Sequence, residues 1–490
     1  MTDAPEHVDV LIVGAGISGI DAAYHLQRRC KDKSWLILEA RAAIGGTWDL
    51  FRYPGVRSDS DMYTLGFPFR PWVGDLAIVD GPSIRAYVAD TARAYGIDRH
   101  IRFGHQAKAA SWSSSAARWT VEVEADGGLR RFTCGFLYLA SGYYDYDQGY
   151  RPDWRGEADF RGRIVHPQHW PDDLDHRGKK IVVIGSGATA VTLVPALAEQ
   201  AAHVTMLQRS PTYIVSRPSR DGIARGLQRW LPRAIASRAI RWKNVLLGMA
   251  FFAHARRRPE RVKRAILRLV AEQLPGHDVA RDFSPRYNPW DQRLCLVPDG
   301  DLFAAIKAGR VAVVTDTIDR FTETGVALAS GAGIEADIVV TATGLIVKLL
   351  GGIALTVDGE PVNVSDRFNY KGLMLSDVPN LAVVFGYTNA SWTLKSDLAA
   401  RYVCRLLRHM DRHGHAICVP RIHEVALERR PMIDFSSGYV TRAESSLPAQ
   451  GPNPPWRVHQ NYLKDLAIMR FGSVTDAAME FRAEQSRRTG

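Results

Sequence analysis

Two stretches of this chain share one pattern, and that pattern restricts the fold more than any other feature of the sequence. Val8–Val13 is an apolar run rich in β-branched residues, the kind that is buried in a parallel sheet. It opens into Gly14-Ala15-Gly16-Ile17-Ser18-Gly19, then a helical stretch Ile20–Arg29, then a strand Ser34–Leu38 that ends at Glu39. Lys180–Ile184 begins a second copy: Gly185-Ser186-Gly187-Ala188-Thr189-Ala190, a helical stretch Val191–Gln200, and a strand His203–Leu207 that ends at Gln208-Arg209-Ser210. Glycines at such turns let backbone N–H groups and a helix N-terminus approach a pyrophosphate closely. The fold expected is α/β, with two Rossmann-like dinucleotide-binding domains.

The ends of the second strands set the two units apart. Glu39 can accept hydrogen bonds from both ribose hydroxyls, and its charge repels a 2′-phosphate, so the first unit should take FAD or NAD. In the second unit the acid is gone and Arg209 attracts that phosphate, so NADP(H) is expected there. Two nucleotide sites in one chain imply an electron path between cofactors. The linker between them, Phe160-x-Gly162-x-x-x-His166-x-x-x-Trp170-Pro171, is rigid enough to gate it.

The remaining elements fit around these units. Gly45–Asp59 is dense in turn formers and aromatics and reads as an ordered ligand-lining loop, neither helix nor strand. Alternation at Trp119, Val121 and Val123, with a turn at Asp126-Gly127-Gly128, predicts a β-meander that ends in the buried strand Phe136–Ala140. Residues 221–274 read as an Arg-rich helical insert with Trp230, Trp242, Phe251 and Phe252 interleaved. Such an insert can lie on a membrane, cap a hydrophobic entrance, or simply pack with a solvated charged side. Ala336–Gly344 reads as a return to the first sheet, which would insert the second nucleotide domain into the first. The expected division is 1–150 for the first part of the FAD domain and 151–178 for the linker. Residues 179–330 would form the NADPH domain, and 331–490 the rest of the FAD domain with the tail. A last helix is expected near Thr475–Glu484.

Composition excludes several classes. The five cysteines are scattered with no C-x-x-C pair, which argues against a disulfide framework, a zinc site or a redox dithiol, and for a reducing compartment. Disulfide reductases share the two nucleotide folds but need a cysteine pair beside the flavin. His166 and His169 have no acid or thiol to complete a metal set, so no metal is expected. The polar, acidic opening Met1–His7 is unlike a signal peptide. The apolar run Val245–Ala253 is about half of what a membrane span needs, so a cytoplasmic protein is expected. The net charge of +11 suits cofactor phosphates, an acidic membrane surface or nucleic acid. Nucleic acid is not expected, peripheral membrane contact is left open, and nothing here fixes an oligomeric state.

The linker motif, taken with Gly45-Gly46-x-Trp48, Tyr53-Pro54-Gly55 and Asp59, resembles the paired fingerprints of type I Baeyer–Villiger monooxygenases. The likeness extends over nearly the whole chain. Gly46–Gly55 and Tyr287–Pro298 are most similar to the subgroup that activates thioamide prodrugs such as ethionamide. The flavin-containing N/S-monooxygenases, which usually carry Tyr in place of Trp170, are the nearest alternative. The resemblance implies FAD reduced by NADPH, a C4a-peroxyflavin formed with O₂, and attack on a small hydrophobic ketone or a sulfur-containing substrate. It implies cofactor contacts from the Gly14, Gly16, Ser18, Gly19 and Glu39 cradle. Thr47, Trp48, Asp49, Leu50, Arg57, Ser58 and Asp59 would add to these. The second cradle would contribute Gly185 to Ala190 and Gln208, Arg209 and Ser210. Arg293 would be the permanent cation beside the oxygen, oriented by Asp59, while His166 and Trp170 would steer the linker.

Overall fold

The computed structural model describes residues 5–424 and 426–483. Strand Glu6–Val13 pairs in parallel with Trp35–Leu38 on one side and Gly128–Leu139 on the other, so it is a central strand. Its Val10, Leu11 and Ile12 are fully buried. Each such side chain contributes about 1.5–3 kcal/mol on burial, which fixes the register. The meander continues the same sheet antiparallel through Arg118–Ala125 to Gln106–Ser113. Helix Ile17–Arg29 covers one face and is crossed by helix Trp392–His413. His25 and Asp397 (2.8 Å) and Ser396 and Asp21 (3.0 Å) join these two helices in a buried polar layer.

The second sheet is all parallel, in the order Val311–Thr315, His203–Gln208, Lys180–Ile184, Ile338–Thr341, Arg163–Val165. Here the structure corrects the reading of residues 336–344. Ile338–Thr341 does not rejoin the first sheet. It follows the meander strand Gly333–Glu335 after only two residues, and the Asp337 N–H donates to Lys180 O (2.8 Å), which delivers it beside Lys180–Ile184. The chain regains the first sheet later, through Ala354–Val357 against the meander edge and Leu381–Val383 against Gly128–Leu139. The second nucleotide domain is therefore inserted into the first, and the linker supplies its edge strand.

Two local expectations also change. The Gly45–Asp59 loop contains one helical turn, Thr47–Leu50, entered through Gly46 at φ +56° and closed by Phe51 N–H donating to Thr47 O (3.0 Å). The segment read as a final helix holds a strand, Met479–Ala483, antiparallel to His415–Pro420, and Glu484 lies outside the described residues.

The insert forms three helices, Gly222–Trp230, Arg233–Arg257 and Pro259–Gln273. Asp221 caps the first by accepting from Ala224 N–H. Proline opens the third, where its missing N–H costs nothing. Arg241 donates to Tyr63 O and Gly66 O, so the insert leans back on the first domain.

Candidate active site

Both glycine turns open into one cavity of about 880 Å³, which also reaches Asp59 and Arg293. Gly14 sits at φ +105°, and a Cβ there would meet Ala140 O at 2.5 Å. Gly185 repeats this at φ +137°, with Ala342 O at 2.3 Å. Neither helix has a side-chain cap at Gly16 or Gly187, so the first N–H groups of both remain available to an anion at the cavity wall. This is the donor set that a pyrophosphate needs, so each cradle can receive a dinucleotide.

Glu39 is buried, accepting the Ala15 N–H (2.7 Å) and Arg41 N–H (2.8 Å). Burial raises its pKa, and the two backbone donors oppose that rise. The carboxylate thus braces the turn and also faces the cavity. Thr47 and Trp48 line the cavity, and Thr47 Oγ1 lies 3.3 Å from Tyr146 OH. Asp49 lies behind the wall, gathering Arg41 (2.7 Å), Arg85 (3.0 Å) and Arg52 (3.5 Å), and Leu50 packs beside it in the interior. Ser58 lines the cavity. Arg57 lines it too and pairs with Asp301 of the second domain (2.5 Å), so it ties the two domains together.

In the second cradle Ser186, Gly187, Ala188, Thr189, Arg209 and Ser210 line the cavity. Ala190 does not; its methyl is fully buried between helix and sheet. Gly19 is likewise a packing residue. Gln208 faces inward, donating to Asp282 O (2.7 Å) and Thr315 Oγ1 (2.8 Å), because the strand's alternation turns it away from Arg209.

The linker residues stand behind the cavity. Phe160 joins the core of the second sheet, and a Cβ on Gly162 would strike Asp337 O at 2.3 Å. His166 packs so tightly on Gly149 that a Cβ there would lie 1.9 Å from the imidazole. Burial lowers the pKa of His166, and its Nδ1 accepts the Gln168 N–H (3.2 Å). Gln168 in turn donates to Asp145 O (2.7 Å). Trp170 packs on the second core, and Pro171 follows at the start of a turn closed by Leu174 N–H to Pro171 O. This arrangement fastens the linker to strand Tyr144–Gly149, whose Tyr144 and Tyr146 do line the cavity.

Asp59 and Arg293 come from different domains and meet in a two-point ion pair. Nη2 donates to Oδ1 (2.8 Å), and Nε lies 2.7 Å from Oδ2. Burial works against the charge of Arg293, but the Asp59 carboxylate together with the phenol oxygens of Tyr143, Tyr439 and Tyr144 pushes the guanidinium pKa up. The loop carrying Arg293 is pinned from the tail by Ser436 N–H to Asp291 O (2.8 Å) and by Gln292 to Ser436 O (3.3 Å).

Sequence reasoning missed the aromatic wall around this pair. Tyr143 and Tyr144 are hydrogen-bonded hydroxyl to hydroxyl, and burial raises both phenols, so they stay neutral. Tyr143 stacks on Trp392 (5.0 Å, 9°), whose Nε1 donates to Ser18 Oγ (2.8 Å). Tyr439 completes the wall. The signal was available, since Tyr143-Tyr144-Asp145-Tyr146 directly follows the C-terminal end of a sheet strand, where open α/β sheets bind ligands. Arg442 was also missed: it lines the cavity near Arg209, with its guanidinium 3.5 Å from the Tyr150 ring centroid. It arrives from the tail, where no pattern announces it.

Known proteins resemble this chain in sequence and fold. A family profile described as a NAD(P)-binding Rossmann-like domain matches residues 12–77, and one described as flavin-binding monooxygenase-like matches residues 66–254. The FAD-containing monooxygenase EthA of Mycobacterium tuberculosis H37Rv is 58% identical over 478 residues, spanning 97% of this chain and 98% of that one. EthA of Mycolicibacterium smegmatis is 54% identical over 478 residues, spanning 97% of each. Among solved structures, an oxidised steroid monooxygenase bound to NADP superposes with a TM-score of 0.76 at 22% identity, covering 97% of this chain and 100% of that one. The polycyclic ketone monooxygenase of Thermothelomyces thermophila gives 0.78 at 16%, covering 99% and 91%. The chain belongs to the EthA-type FAD-containing monooxygenases, a flavoprotein family with the double-dinucleotide fold of the Baeyer–Villiger enzymes.

Proposed function

We propose that this protein is an NADPH-consuming Baeyer–Villiger monooxygenase. It inserts one oxygen of O₂ into small hydrophobic ketones to give esters or lactones, and it oxygenates sulfides and thioamides. The observation that carries this reading is the Asp59–Arg293 ion pair, set in the cavity that both nucleotide cradles share. FAD, when bound, supplies the electron relay and the reaction with O₂.

The chain's own residues do the rest. Gly14, Gly16 and Ser18 would receive the pyrophosphate of FAD, and Gly187, Arg209 and Ser210 the phosphates of NADPH. Arg293 holds a permanent positive charge where negative charge builds on oxygen. Asp59 fixes the guanidinium plane by its two contacts, so the cation needs no reorganisation during the reaction. The aromatic wall of Tyr143, Tyr144, Trp392 and Tyr439 excludes water and favours apolar substrates. Among the described residues no helix is long and apolar enough to cross a membrane.

The test is direct. The purified protein, loaded with FAD, is given NADPH, O₂, a panel of ketones and a thioether, and products are read by mass spectrometry. Ester or lactone supports the reading, whereas sulfoxide alone assigns a flavin-containing N/S-monooxygenase instead. Arg293→Ala should leave flavin reduction by NADPH intact and lower ester yield by about 10²–10³-fold. Undiminished ester yield from that variant removes Arg293 from the chemistry.

A further inference from the structure

The helical insert presents a surface that the nucleotide cavity does not use. Helix Arg233–Arg257 buries Ala236, Ile240, Val245 and Ala255 against the protein. Its opposite stripe, Ile235, Trp242 and Leu246, is spaced i, i+7, i+11 and remains exposed, with Leu247 beside it. Helix Gly222–Trp230 folds back along it, with Leu227 and Leu231 packed against the Ala236 and Ile240 side. The ion pair Lys243–Asp221 fixes that alignment, and Ile223 on the shorter helix is exposed as well. The exposures are high for side chains of this size: Trp230 79%, Ile223 62%, Leu247 59%, Ile235 54%. Scattered single apolar residues need no explanation, but six on two adjoining helices do.

Charge decides what covers them. From Gly222 to Pro259 the sequence holds nine lysines and arginines and no acidic residue. Arg225, Arg229, Arg233 and Arg238 are exposed, and no ion pair involves them among the described residues. Of the acids at the border, Asp221 is taken by Lys243 and Asp61 by Asn244 on the protein side. An exposed apolar face ringed by unpaired cations matches the interface of an anionic bilayer, where the rings and aliphatic chains enter the acyl boundary and the guanidinium groups meet phosphate. A nucleic acid would satisfy the arginines and leave Trp230, Ile235 and Leu247 in water.

We propose that Gly222–Trp230 and the N-terminal half of Arg233–Arg257 form a docking surface for an anionic lipid bilayer. The placement has a consequence that rests on the function proposed above. Val245 and Met249 of the same long helix pack on Tyr387, Leu394 and Ala390, and both Tyr387 and Ala390 line the cavity. A bilayer docked on one side of this helix brings lipid-dissolved substrate to the wall of the cavity on the other.

The experiment uses the full-length, FAD-loaded protein and reads co-flotation with vesicles, a measurement independent of any oxygenation. Vesicles of phosphatidylcholine with phosphatidylglycerol should carry the protein, less so at high salt, and phosphatidylcholine alone should carry little. Replacing Arg225, Arg229, Arg233 and Arg238 by Gln should lower the partition coefficient about fivefold per arginine. Trp230→Ser with Leu247→Ser should lower it by about tenfold or more. Flavin absorbance and melting temperature serve as the check on folding, and both sets of side chains are exposed enough to be replaced. No flotation with either vesicle overturns the proposal, as does salt-independent flotation on phosphatidylcholine alone, or variants that float like the parent. A stable dimer that the Trp230→Ser, Leu247→Ser pair disperses, with no vesicle binding, assigns the face to a second copy of the chain instead.

Discussion

The two nucleotide cradles are built on one plan and differ in how tightly they close. In the first, the third glycine of the turn is indispensable: a Cβ on Gly19 would lie 1.9 Å from Gly14 O. Helix and strand there are in backbone contact, and Gly46 covers the turn, with its Cα 3.6 Å from where a Gly16 Cβ would be. In the second cradle the same position is Ala190, whose methyl is accommodated and fully buried. That helix must therefore stand further back from its strand. A Cβ on Gly187 would meet nothing within 4 Å, so nothing roofs the second turn. The difference suits the two cofactors. A tightly held flavin would gain from a closed, braced cradle, and an exchanging nicotinamide nucleotide from an open one.

The sharpest way to break this contrast is Gly19→Ala. The colliding atom is backbone and cannot yield, so the helix must lift and carry the pyrophosphate donors with it. Overpacking of this kind costs about 1–3 kcal/mol or more, and here it falls on the FAD site. The variant should purify largely colourless, with flavin content read from visible absorbance. A fully yellow Gly19→Ala protein would show that the first cradle is no tighter than the second.

Next in size is Arg209→Ala. A hydrogen bond to a charged group is worth about 1.5–3 kcal/mol, so KM for NADPH should rise roughly 10–100-fold. KM for NADH should hardly move, so the preference between them collapses. If KM for NADPH is unchanged, the 2′-phosphate is held by Arg442, which stands close enough to depress its own pKa through burial and the neighbouring charge of Arg209.

What the sequence revealed and what it hid follow from the range of the interactions involved. Both cradles were readable because a strand, a tight turn and a helix N-terminus are specified by contiguous residues. The Asp59–Arg293 contact spans 234 positions and was reached only through resemblance to a family, since no local pattern joins them. The same limit explains the misplaced Ile338–Thr341. A fully buried parallel strand shows the same apolar run in either sheet, and only the short connection from Glu335 decides between them. Gln208 and Arg209 illustrate the reverse case. They are adjacent in sequence, yet the strand period of two sends one into the core and the other into the cavity. The Tyr143–Trp392 stack depends on helix Trp392–His413 returning to the first domain, and Arg442 on the tail folding back, neither of which periodicity can report.

The smallest expected effect tests the open cradle from its own side. Ala190→Gly removes a methyl that fills the space between helix and sheet but does not reach the cavity. Glycine inside a helix costs about 0.5–1 kcal/mol relative to alanine, so the variant should melt slightly earlier. KM for NADPH should stay within about twofold, because a loss that small at a site behind the wall shifts binding by less than its full cost. The informative outcome is a different one. If KM falls severalfold in the glycine variant, the helix has moved in against its strand, and the setback imposed by Ala190 is itself what keeps the second nucleotide exchangeable. A KM that does not respond places that property in the unroofed turn at Gly187, which the substitution leaves untouched.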